Sequence, residues 1–110
     1  MRNVRNDRLS AARRRLVSPT GSGLELSRQE LADAVNVVLY RRHRELGRPG
    51  AAPCVDGRTV AAYERGRHRW PGREVREAFR IVLGAATDAE LGFYVTRRTR
   101  PAGTDAPVTS

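Results

Sequence analysis

The chain contains no lysine: all 21 of its Lys-plus-Arg positions are arginine. That absence excludes every chemistry built on a lysine amine, including the Gly-Lys-Ser/Thr phosphate loop, Schiff-base catalysis and pyridoxal phosphate attachment. Cysteine occurs once, at Cys54, so neither an internal disulfide nor a thiolate zinc cluster can form. The only histidines, His43 and His68, lie on separate segments beside arginines that repel a cation, which argues against a metal site. With two distant histidines no Ser/His/Asp or Cys/His grouping assembles, so an enzyme is not expected. Aromatic residues make up only 5% of the chain, too few to line a single-strand stacking groove. No sheet signal, Gly-x-x-Gly clamp or aromatic motif points to RNA. The longest mostly apolar stretch, Ala34 to Tyr40, contains Asn36 and is much shorter than the roughly 20 residues a membrane span requires. The arginines of the N-terminus have no apolar segment behind them, so no secretory signal is read there. These absences lead us to expect a cytoplasmic protein with no cofactor, no metal, no membrane contact and no small-molecule ligand.

What is present is positive charge. The 110 residues fit one domain, with 39% hydrophobic and 30% charged residues suiting a small aliphatic core under a charged shell. A chain of this size buries only about two-thirds of its unfolded surface, which leaves little room for a large enclosed pocket. The formal net charge is +9 and the sequence pI is near 11.4, values that ask for a polyanionic partner, most often nucleic acid. A GC-rich genome accounts for arginine in place of lysine, but not for the charge imbalance. Placement is uneven: residues 1–23 carry six arginines against one acid, and residues 56–86 seven against four.

Apolar spacing and caps divide the chain into helices. Leu9, Ala12 and Leu16 recur at helical intervals between Asn6 and Leu16, before the turn-forming run Ser18-Pro19-Thr20-Gly21-Ser22-Gly23. Ser27-Arg28-Gln29-Glu30 is a capping box opening a second helix, whose face is Leu31, Val35, Val38 and Leu39 and which runs to about Leu46. Gly47 to Pro53 breaks regular structure. Asp56 caps a third helix through Val60 and Tyr63 to Arg65, with Gly66 free to close it. Trp70-Pro71-Gly72 opens a fourth with Val75, Phe79, Val82 and Leu83, and Thr87-Asp88-Ala89-Glu90 caps a short fifth with Leu91 and Phe93. The expectation is all-α: a compact bundle of about five helices over residues 1–95, followed by a disordered basic and polar tail over 96–110.

The pieces Arg8-Leu9 with Arg13, Leu26-Ser27-Arg28-Gln29-Glu30-Leu31-Ala32, and Asp56 to Gly66 ending in Tyr63-Glu64-Arg65-Gly66, then Arg67-His68-Arg69-Trp70-Pro71, resemble the lambda-repressor/Cro-like (XRE-type) helix-turn-helix family. The resemblance covers roughly residues 6–95 and is to members from high-GC actinobacteria. It departs in one respect: the family joins its two motif helices by a few residues, whereas Val37 to Cys54 stand between them here. The second helix is then expected to run on, with a loop returning the chain and the packing at Leu31, Val35 and Val60 kept.

The resemblance implies a sequence-specific double-stranded DNA-binding protein, a transcriptional regulator reading the major groove with helix 56–65. Its base-reading positions would be Arg58, Thr59 and Ala62, with Gly57 and Ala61 beside them. Arg58 carries the planar fork that matches guanine O6 and N7, and Ala61 or Ala62 suits a thymine methyl. Ser27 and Arg28 at a helix start, the loop residues Arg67, His68 and Arg69, and Arg73 are the phosphate candidates. Glu64 would pair with Arg13 as a structural ion pair. Tyr63 and Trp70 are read as core and cap residues, Arg76 and Arg80 as solvated helix faces. A homodimer would raise affinity; the sequence names no unambiguous dimer face, and Leu91, Phe93, Tyr94 and Val95 are the candidate apolar patch, with packing into the core the equal alternative for Phe93. The alternative is an antitoxin-like or adaptor module that uses the same fold to dock an acidic protein.

Overall fold

A computed structural model describes residues 4–21 and 23–95, so the tail expected over 96–110 lies outside the described residues. Among the described residues four α-helices form: α1 (Asp7–Arg14), α2 (Arg28–Glu45), α3 (Gly57–Glu64) and α4 (Arg73–Leu83). Among the described residues there is no strand, only an isolated bridge between Val17 and Glu25 in the α1–α2 connection. No helix among them is long and apolar enough to cross a membrane. α2 packs against both α3 and α4, while α1 packs against α3.

Three of the four helices begin where a side chain can take up free N–H groups; α4, opened by Gly72, has no side-chain cap. Asn6 accepts from Leu9 N at 3.2 Å, Ser27 and Glu30 exchange both bonds of a capping box, and Asp56 accepts from Thr59 N at 2.8 Å. Asn6 is 1% exposed and does more than cap: its Nδ2 donates to Leu91 O, and its backbone N donates to Glu64 O. One residue thus ties the start of α1 to the end of α3 and to the C-terminal segment. α3 ends in a Schellman turn, with Arg67 N donating to Ala62 O and Gly66 N to Tyr63 O, both at 3.0 Å. Gly66 has φ +84° there, and a Cβ on it would collide with the Val4 carbonyl, so glycine is required on two grounds.

The core joins all four helices through Leu9, Leu31, Val35, Val60 and Phe79, each 0% exposed. Three of the few aromatics, Tyr63, Phe79 and Phe93, meet edge to face with centroids 5.7–6.0 Å apart. In place of the fifth helix expected from Thr87, a single 3-10 turn spans Ala89–Leu91. Gly92, at φ +73°, stops it after three residues, packed so closely on Asn6 that no side chain fits. This geometry also corrects the expected dimer patch, because Leu91 and Phe93 are each 1% exposed and belong to the core.

The segment between α2 and α3 is a closed excursion. α2 continues through Glu45, a loop returns over 46–55, and the side chain of Asn36 then clasps both backbone groups of Val55. Val55 N donates to Asn36 Oδ1 and Asn36 Nδ2 donates to Val55 O, each at 2.8 Å. The loop is held a second time at the far end of α2, where His43 Nε2 lies 3.0 Å from Gly50 O, and Arg48 pairs with Glu74 of α4 at 3.1 Å. Leu31, Val35 and Val60 therefore keep a common core although residues 37–54 separate the start of α2 from α3.

Candidate functional site

α3 is amphipathic in an unusual way. Val60, Tyr63 and Glu64 point inward, whereas Arg58, Ala61, Ala62 and Arg65, spaced at three, four and seven residues, form the outward stripe. The two arginines are exposed and the two alanines half-buried, so the stripe is a shallow small-residue floor between two guanidiniums. Arg58 sits in the first turn of α3 beside the Asp56 cap, where the hydrogen bonds from Thr59 and then the Arg58 charge lower the carboxyl, and Arg65 is the C-cap.

The inward face explains why the stripe is held rigidly. Glu64, with its side chain 1% exposed, receives Arg13 Nε at 2.7 Å and Arg28 Nε at 3.0 Å. Arg13, itself buried, also donates to Leu26 O at 2.8 Å, so α1, the loop before α2 and α3 share one guanidinium. Burial pushes the Glu64 carboxyl up, but the hydrogen bonds from Arg13 and Arg28 and the Arg13 charge outweigh it, leaving the group below its ordinary value. At the other end of α3, Asp56 Oδ1 accepts from both N and Oγ1 of Thr59, and the first of these bonds holds its carboxyl below the ordinary value. Gln29 of α2 accepts from Gly57 N at 3.0 Å, and a Cβ at Gly57 would press on Gln29, so the starts of α2 and α3 touch.

The expected base-reading residues thus fall on one element but differ in freedom. Arg58 is exposed and makes no ion pair among the described residues; Ala61 and Ala62 lie on the floor beside it; Thr59 and Gly57 are engaged by Asp56 and Gln29. Of the expected phosphate ligands, Arg67 and Arg73 are exposed and unpaired among the described residues, and His68 is exposed with its ring edge-on to Tyr63. Ser27 is committed to its capping box. Arg28 remains 44% exposed but points its Nε at Glu64. Arg69 donates to the carbonyls of Gly92, Val4 and Arg5 and lies over the Tyr94 ring, which makes it a strut between the post-α3 loop and both ends of the domain.

Comparison with known proteins finds no matching family model, no matching curated protein and no matching solved structure. What this face does must follow from its own residues.

Elsewhere the arginines are mostly engaged. Arg76 and Arg80, expected on solvated helix faces, both reach Asp88, at 2.7 and 2.9 Å, and Arg76 also stacks on Trp70 at 3.7 Å from the ring centroid. Trp70 is accordingly a half-exposed platform for an arginine, not a core residue. Arg42 pairs with Glu77, and Arg48 with Glu74. Among the described residues, unpaired arginines concentrate at Arg58, Arg65, Arg67 and Arg73, on α3 and the connection that follows it, with Arg5, Arg15 and Arg41 the others. Arg65 was not singled out from the sequence, although its seven-residue spacing from Arg58 was the signal that places both on one helix face. Planar guanidiniums without acid partners are suited to bidentate contact with phosphate oxygens or with a base edge offering two acceptors.

Proposed function

We propose that the chain is a sequence-specific double-stranded DNA-binding protein and transcriptional regulator of the lambda-repressor/Cro-like helix-turn-helix type, with α2 and α3 as its motif helices and α3 entering the major groove. The observation that carries this reading is the α3 stripe: Arg58 and Arg65, exposed and in no ion pair among the described residues, flanking Ala61 and Ala62. Small side chains let a helix backbone approach base edges, and an arginine in the first turn of such a helix meets guanine O6 and N7 with both arms of its fork. Arg67 and Arg73 supply phosphate contacts at the helix's C-terminal end, and Arg28 orients α3 through Glu64 while keeping part of its guanidinium in solvent. The fixed N-termini of α2 and α3, joined through Gln29 and Gly57, set the register of the stripe on the duplex.

Selection of duplexes from a random pool by the purified chain tests this reading. The expected result is an enriched motif with a guanine at one position, relaxed at that position by Arg58→Ala, at a cost of about 1–3 kcal/mol of discrimination. Arg67→Ala should weaken all retained sequences alike. Recovery of no motif with the wild-type chain contradicts the proposal.

A further inference from the structure

α2 has a second outward face that its packing on α3 and α4 leaves uncovered. Asp33, Val37, Tyr40 and Arg44 are all exposed on it, Val37 at 55% and Tyr40 at 59%, and they follow one another at intervals of four, three and four residues. Those intervals put the four on one helix face, a seam with apolar Val37 and Tyr40 at its centre and opposite charges at its two ends. An open groove of about 560 Å3 runs along the seam, lined by Asn36, Val37, Tyr40, Arg41, Arg44 and Glu45.

We infer that this face binds a second copy of the chain, with the two α2 helices antiparallel about a two-fold axis between Val38 and Leu39. The seam is self-complementary under that operation and no other simple one. The axis sets Val37 against the partner's Tyr40, and Asp33 against the partner's Arg44, with each contact made twice. Arg41, which has no ion pair among the described residues, flanks the same face and adds to its positive end. A parallel arrangement would set Asp33 on the partner's Asp33 and Arg44 on the partner's Arg44, which like-charge repulsion disfavours. Arg44 already lies over the Tyr40 ring, 5.9 Å from its centroid, so cation and aromatic present one surface. The seam exists because α2 runs eighteen residues, to Glu45; the inserted segment 37–54 supplies Val37, Tyr40 and Arg44 and so acquires a role. Asp33 accepts from Gln29 Nε2 at 2.9 Å, which links that end of the face to the start of α3, whereas Val37, Tyr40 and Arg44 share no contact with the α3 stripe, so the Tyr40 variant tests the inference apart from DNA binding.

Sedimentation velocity at sub-millimolar concentrations tests it. The full chain is expected to reach twice its 12.2 kDa mass, and Tyr40→Glu to remain a monomer with an unchanged unfolding midpoint, since Tyr40 takes no part in the core. Asp33→Arg and Arg44→Asp are each expected to weaken dimerisation about tenfold, and the double variant to restore it. A monomeric wild-type chain, a Tyr40→Glu dimer, or a double variant no better than the single ones overturns the inference.

Discussion

Glu64 shows how a single carboxylate can organise three segments. Its side chain is almost wholly buried, yet it stays ionised because two arginines reach it from α1 and α2. Glu64→Gln would leave Arg13 buried without its counter-charge, a loss expected to cost about 3–5 kcal/mol and to appear as a lower urea midpoint. Because the folded group titrates below its ordinary value of 4.5, its contribution is present above that value and is lost as pH falls through the folded pKa. Unfolding followed against pH should therefore show an acid-side loss of stability that Glu64→Gln diminishes. Exchanging the charges, Arg13→Glu with Glu64→Arg, is expected to recover little, because the new guanidinium would face Arg28, whose Nε now lies 3.0 Å from the carboxylate. Adding Arg28→Glu should recover more, and full recovery by the two-residue exchange alone would show that Arg28 is not bound there.

At the scale of elements, helix boundaries were legible because they rest on local chemistry. The Ser27–Glu30 capping box, the Asp56 cap and the Gly66 stop each need only neighbours in sequence, and each is formed. What could not be read depends on residues brought together by the fold. Asn36, an indifferent residue in the middle of a helix, gives no hint that its amide will hold Val55. Arg28 at a helix start suggests an anion, and only the burial of Glu64 beside it turns the side chain inward. The segment of Leu91 and Phe93 reads as a capped helix, and only the packing of Gly92 on Asn6 limits it to a single 3-10 turn. Asn36→Ala removes both clasping bonds and strands two backbone groups of the 8%-exposed Val55; a loss of about 2 kcal/mol is expected, with faster amide exchange at Val55. Unchanged exchange there would show that His43 and Arg48 hold the loop without it. Gly66→Ala, placing a Cβ at φ +84° against the Val4 carbonyl, should cost more than about 1 kcal/mol in the same assay.

At the scale of the molecule, the +9 charge resolves into arginines with different tasks. Arg13, Arg69, Arg76 and Arg80 hold segments together through carboxylates, carbonyls or a tryptophan face. Arg58, Arg65, Arg67 and Arg73 have no such partner among the described residues and gather on α3 and just after it. Composition alone announced a polyanion but gave each arginine equal weight; the fold divides them by whether a partner is already within reach. If Arg65, Arg67, Arg73 and the exposed part of Arg28 neutralise phosphates while Arg58 reads a base, affinity for duplex DNA must fall with salt through counterion release. The most direct measurement is the dissociation constant of a duplex titrated across salt concentration. A slope of log affinity against log salt of about −3 to −4 is expected, reduced by about one unit in Arg67→Ala. A slope near zero would contradict the claim that this face binds DNA.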